Sequence, residues 1–259
     1  MLKETESFIF SSGSDSIVIY ADILGFSSYV TNNDLELSVL ALKNFQNEST
    51  DVLKNMRLII NGGSFKAKYP NADDNFINAQ FRFHVFSDSL IFSIRNHKED
   101  LFARLYALFA YLIKVQVEMF KLNLPLRGGI SIGEFYSSNE IVVGKALVEA
   151  VELEKCGIYP RLFVCDRLLN MLTEADVKIL TQAFLTKEVD EKCPFLYLDI
   201  FKFYGNIFLN AHDIEDEKRE FISVITNYIE TNKSNVKIKN KVKWVSDKYT
   251  SFLSRISAS

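Results

Sequence analysis

The stretch VIYADILGF, residues 18–26, runs apolar and β-branched side chains into a carboxylate, Asp22, and then a glycine, Gly25. It is short and follows the turn-forming SSGSDS at 11–16, so it predicts a buried strand over residues 16–22. A carboxylate costs desolvation there unless something uses its charge. The glycine allows a sharp turn into a following helix. A second acid has a similar setting. In VFSDSLIF, Asp88 stands between two apolar runs that read as strands over 79–86 and 89–94, meeting at Ser87 and Asp88. Neighbouring strand ends in one sheet can bring two such carboxylates together as a hard oxygen site suited to Mg²⁺ or Mn²⁺. The other reading is that both acids are turn or cap residues.

Outward from these strands, the patterns alternate. Leu35, Leu37, Leu40, Leu42 and Phe45 near helical spacing predict a helical region after Gly25, interrupted at TNND, where Asn33 or Asp34 caps its second piece. Residues 62–76 read as a surface loop. Helices are predicted over 98–121, 145–155, 166–183, 213–231 and 236–256, and strands over 126–132, 140–143, 161–165 and 195–201. Hairpins mixed with helices make the fold class α+β, a mixed, largely antiparallel sheet with flanking helices. Nothing divides the core, so one domain is expected over 1–205, with a helical extension over 206–259 packed on it.

Composition narrows the function classes. The net charge of -3 gives no global pull toward nucleic acid or membrane. Cys156, Cys165 and Cys193 are an odd count without CxxC spacing, which disfavours zinc and a disulfide framework and fits buried thiols in a reducing cytoplasm. The longest apolar run, LYALFAYLI at 105–113, is far short of the about 20 residues a membrane span needs, and reads as a buried helix face. The N-terminus is too acidic for a signal peptide. No P-loop and no GGDEF run occur, and His84, His97 and His212 are not at metal spacing. The lysine-rich tail around Trp244 lacks the arginines and aromatic platform of a nucleic-acid binder, and is expected to pack Val242, Trp244 and Val245 on the core.

Taken with LPLRGGISIGEF (124–135) and VVGKALVEAVELEK (142–155), the blocks ADILGF and FSDSLIF resemble, in order, the signature blocks of class III nucleotide cyclases. The resemblance covers about residues 16–165 and is nearest the pyrimidine cyclase branch of bacterial antiphage (Pycsar) systems. It implies a ferredoxin-like core, a catalytic domain over 1–205 and a head-to-tail homodimer with sites at its interface. Asp22 and Asp88 would hold two Mn²⁺ or Mg²⁺ ions per site, with the Ile23 carbonyl as a further ligand. The amides of Leu24, Gly25 and Phe26 would meet the triphosphate. UTP or CTP would be the substrate, and the cyclic product would act on a separate effector.

The departures from purine cyclases are equally specific. Aligned on Gly144, the asparagine and arginine positions of that helix hold Val148 and Glu152. The base-reading acid and lysine positions hold Ile141 and His84. The chain therefore either reads another base and finds its positive charge elsewhere, or is a catalytically silent, nucleotide-binding homologue. Arg127, Lys145 and Lys155 are the candidate cations. Lys145, just inside a helix N-terminus where the dipole disfavours cations, is either a phosphate contact or a solvated lysine. Arg127 either clamps an acid or touches substrate. Glu149 and Glu152 form a solvated face, a dimer contact or a base contact, and His84 is a candidate for the base pocket.

Overall fold

The computed structural model describes residues 15–32, 82–96, 101–138, 140–188, 193–210 and 214–258, with positions 36 and 43. The expected cap at Asn33 or Asp34, the helical positions from Leu35 to Phe45, the loop 62–76, His97 and His212 lie outside them.

The opening stretch forms β1 (Asp15–Ile23), which the turn at Leu24 and Gly25 leads into α1 (Phe26–Asn32). The hairpin β2 (Arg82–Phe86) and β3 (Ser89–Arg95) turns at Ser87 and Asp88, and α2 (Leu101–Lys121) follows. Next come β4 (Leu126–Glu134), the short β5 (Tyr136–Ser137) and β6 (Val142–Val143), and α3 (Lys145–Cys156). The chain continues through β7 (Leu162–Val164), α4 (Asp166–Leu169), α5 (Glu174–Ala183), β8 (Leu185–Lys187) and β9 (Leu196–Leu198). It ends in α6 (Ile200–Asn210), α7 (Glu215–Asn232), a 3₁₀ turn over Val236–Ile238, and α8 (Lys239–Ser257).

Seven strands form one mixed sheet in the order β2-β3-β1-β4-β7-β9-β8, with β4 and β7 parallel and every other neighbouring pair antiparallel. The α+β expectation holds. Period-two alternation separates the faces. Ile17, Ile19, Ala21 and Ile23 join Leu90, Phe92, Ile94, Ile130 and Ile132 in the core. There α2 packs, with Tyr111 edge-on to Phe92. The greasy run 105–113 is its buried body. Gln116 pins α2 to the sheet by donating to the Leu126 carbonyl at 2.9 Å and accepting from the Leu126 amide at 2.9 Å.

The opposite face carries Val18, Tyr20 and Asp22 on β1, level with Ser131, Gly129 and Arg127 on β4. Against it lies α3, closely enough that a Cβ on Gly129 would sit 2.4 Å from the Ala150 carbonyl oxygen. The Ser131 hydroxyl donates to the Ala146 carbonyl.

Several expectations change in detail. The strand expected over 140–143 survives only as β6, paired with β5 in a separate two-stranded sheet. The helices expected near 166–183 are α4 and α5, divided at Asn170–Thr173, where the Thr173 hydroxyl caps α5 by accepting from the Asp176 amide at 3.2 Å. The strand expected over 195–201 stops at Leu198, since Asp199 caps α6, its carboxylate accepting from the Lys202 amide at 3.0 Å. The boundary expected between 205 and 206 falls inside α6. Val242 and Val245 are buried as expected. Among the described residues no helix is long and apolar enough to cross a membrane.

Candidate functional site

β1 and the β2–β3 hairpin bring the two acids together. Asp22 pairs across the ladder with Ser89, the residue after Asp88, and the Ile23 amide donates to the Asp88 carbonyl at 2.8 Å. The hairpin needs only Ser87 and Asp88 to turn, and Ser87 takes a left-handed φ of 55° to do it. Asp88 is therefore fixed beside the end of β1.

On the other side of Asp22, the ladder places Arg127. Its Nη2 donates to Asp22 Oδ2 at 3.0 Å, its Nη1 to the Gly157 carbonyl at 3.3 Å, and the same guanidinium pairs with Glu154 on α3. The clamp reading of Arg127 is the one this geometry carries. Burial pushes the Asp22 carboxyl above its ordinary value; Arg127 opposes that rise, and the Asp88 charge adds to it. Burial likewise raises Glu154, again opposed by Arg127. Desolvation outweighs the ion pairs, because one guanidinium serves two acids.

Glu154 has no counterpart among the sequence candidates, which took Glu149 and Glu152 from the same helix. A signal for it exists. Ala146, Ala150 and Glu154 are four residues apart, so Glu154 continues the buried stripe of α3. Glu149 instead pairs with Arg167, and Glu152 with Lys155, both at the surface. Lys241 of α8 is a second unforeseen neighbour. It lies within electrostatic reach of Asp22, Glu154 and Arg127, and burial with the Arg127 charge depresses its ammonium pKa.

The other expected residues divide. Gly25 has φ 89°, a conformation that favours glycine, and its carbonyl accepts the first bond of α1 from Tyr29 at 3.0 Å. The Phe26 side chain is in the core. The Leu24 amide corrects an expectation: it donates to the Pro125 carbonyl at 3.0 Å, so it is spent on the sheet rather than offered to phosphate. His84 lies on the Asp22 face of the sheet, two strands from Tyr20, with Nε2 2.6 Å from the Ser137 hydroxyl. Lys145 does not join the aspartates of its own chain. It starts α3 beside the far end of β4 and pairs with Glu134 at 2.8 Å. Seven rises of strand take the chain from Arg127 to Glu134, about 23 Å. Ile141 and Val148 are exposed. Burial raises the Cys165 thiol to about 11, which makes it inert.

The donor set fits a hard divalent cation. Asp22 and Asp88 would supply carboxylate oxygens, of which Asp22 gives only Oδ2 to Arg127, and the Ile23 carbonyl would be a further ligand. Among the described residues no three acidic, histidine or cysteine side chains gather to cage an ion. Two carboxylates completed by water and phosphate oxygens is the usual Mg²⁺ pattern.

No protein-family model matches the chain, and neither does any curated protein. Among solved structures it is similar to the adenylyl cyclase CyaB from P. aeruginosa, at 13% identity over 71% of this chain and 93% of that one, with a TM-score of 0.40. It is similar also to the guanylate cyclase domain of RhGC from Catenaria anguillulae in complex with GTP, at 11% identity over 72% and 96%, TM-score 0.45. A third is the catalytic core of a rhodopsin-guanylyl cyclase with converted specificity in complex with ATPalphaS, at 12% identity over 71% and 93%, TM-score 0.45.

Proposed function

We propose that this chain is a metal-dependent nucleotide cyclase that converts UTP, or CTP, to the 3′,5′-cyclic monophosphate and pyrophosphate. The observation that carries the reading is the pair Asp22 and Asp88 on adjoining strand ends, tied by the 2.8 Å bond from the Ile23 amide to the Asp88 carbonyl. The order of the sequence blocks around them supports it.

In the proposed reaction the 3′-oxygen attacks the α-phosphorus, the bond from that phosphorus to the β-phosphate bridge breaks, and pyrophosphate and the hydroxyl proton leave. Asp22, Asp88 and the Ile23 carbonyl would hold two Mn²⁺ or Mg²⁺ ions. When bound, these ions lower the pKa of the attacking hydroxyl and offset charge on the triphosphate and leaving group. Arg127 favours the carboxylate form of Asp22 and aims it. Most of the rate in such chemistry comes from positioning and charge stabilisation. His84 and Ile141 stand where purine cyclases read adenine with a lysine and an acid. A pocket built for another base edge rejects the purine by leaving buried polar groups unpaired. Two chains would pair to complete each site, and the cyclic product would serve a separate effector in phage defence.

A silent nucleotide-binding module is the second reading, favoured by the Arg127–Asp22 pair, which occupies Asp22 Oδ2. One experiment separates them. The purified full chain is given equimolar ATP, GTP, CTP and UTP with Mn²⁺, and products are read by mass spectrometry. Cyclic UMP is expected first, cyclic CMP second, and the purine products in traces. Asp22→Asn should lower the rate at least about 100-fold with the fold intact. Dominant cyclic AMP or GMP would refute the base assignment, and no cyclic product from any nucleotide would leave the silent module.

A further inference from the structure

The C-terminal helices begin with opposite charge. α7 opens on Glu215, Asp216 and Glu217, which its dipole favours. α8 opens on Lys239 with Lys241 in its first turn and no acid there, which its dipole disfavours. A local rule broken in this way points to function when the surroundings give it a target. Lys239 and Lys243 are exposed, while Lys241 is half-buried.

Its position is set by strong anchors. Val242 and Val245 are buried, and Trp244 stacks on Tyr159 with ring centroids 5.3 Å apart. Tyr159 is two residues beyond Gly157, whose carbonyl receives Arg127. The first turn of α8 thus opens beside the cleft of Asp22, Glu154 and Arg127. Arg127 already engages both acids. Among the described residues, no hydrogen bond or ion-pair contact holds the Lys241 ammonium. A half-buried ammonium beside a guanidinium, with the nearby acids taken, is arranged to receive an anion from outside.

We propose that Lys241, delivered by the C-terminal helix, is a phosphate-contacting residue of the Asp22–Asp88 site and takes the polyphosphate of the bound nucleotide. The inference rests on the reading of that site as one for a nucleoside triphosphate. It places a cation from the extension where the helix positions of Val148 and Glu152 supply none.

The test is calorimetric titration of the full chain with tripolyphosphate in saturating Mn²⁺. Lys241→Gln should weaken binding about 10-fold, the value of one charge-assisted hydrogen bond. Lys241→Arg should restore most of it, and Lys243→Gln, at an exposed neighbour, should change nothing. Mn²⁺ binding alone and the thermal midpoint should stay at the wild-type values in Lys241→Gln. Wild-type affinity in Lys241→Gln, an equal loss in Lys243→Gln, or no tripolyphosphate binding by the wild type would each overturn the proposal. The cyclase reading fails separately: a chain that binds tripolyphosphate through Lys241 but forms no cyclic product sinks that reading and keeps this one. A working cyclase indifferent to Lys241 does the reverse.

Discussion

Arg127 is the residue on which the site depends. It faces two carboxylates, Asp22 and Glu154, whose side chains are only 22% and 9% exposed. Burial holds both carboxyls above their ordinary values of 3.8 and 4.5. The folded chain therefore binds these protons more tightly than the unfolded one, and these groups cost stability as the pH rises across that interval. Arg127 offsets the cost by favouring both carboxylates. Arg127→Ala should raise both carboxyls further and leave two acids without their partner. The expected loss is about 2 kcal/mol near neutral pH, below the figure for a fully buried pair because water reaches Asp22. The loss should shrink as the pH falls toward about 4 and both acids take up protons. Urea unfolding with chelator present, repeated across this range, measures it. A deficit that is independent of pH would mean that Arg127 acts through packing alone.

At the scale of elements, one carboxylate secures α8. Glu188, just past β8, accepts from Arg161 at 2.6 Å and from Trp244 Nε1 at 3.2 Å, and pairs with Lys248 at 2.5 Å. Arg161 is 1% exposed and is ringed by Tyr159, Phe163, Tyr197 and Trp244, its guanidinium 4.9–5.6 Å from their centroids. Such a cation tolerates burial because the aromatic faces and the acid share its charge. Glu188→Ala removes this acid from the buried guanidinium, and the expected cost is about 3 kcal/mol, the range for breaking a buried pair from one side. The same change should loosen the start of α8, so amide exchange should quicken there more than in α7. A cost under about 1 kcal/mol in urea would show that Arg161 does not depend on Glu188.

For the whole molecule, the question is whether one chain makes a complete site. Lys145 and the exposed Ile141 and Val148 lie away from the aspartates of their own chain, and Phe86, at the hairpin tip next to Ser87 and Asp88, is 80% exposed. Under the proposed function a second copy completes the site, so specific activity should fall on dilution in step with dissociation of the dimer. Light scattering and product formation across one dilution series test this together. A monomer with undiminished activity would refute the shared site.

Much of this was legible along the chain, and the reason is periodicity. The strand over 16–22 was legible as a short apolar, β-branched run after a turn, with Asp22 standing out at its end, and the two-residue period then puts Asp22 on the face away from Ile17, Ile19, Ala21 and Ile23. The hairpin at Ser87 and Asp88 was legible because two apolar runs flank two turn residues. Local period also carried α3 and the buried valines of α8. Tertiary structure alone decided what the acids meet. Glu154 reaches Arg127 because Gly129 lets α3 approach the sheet, a contact that depends on a missing side chain on another element. Lys241 arrives because Trp244 finds Tyr159, although more than eighty residues separate them in sequence. A local pattern reports neighbours within a turn or a ladder. It says nothing of partners brought together by the burial of apolar surface elsewhere, and the charges around Asp22 are partners of that kind.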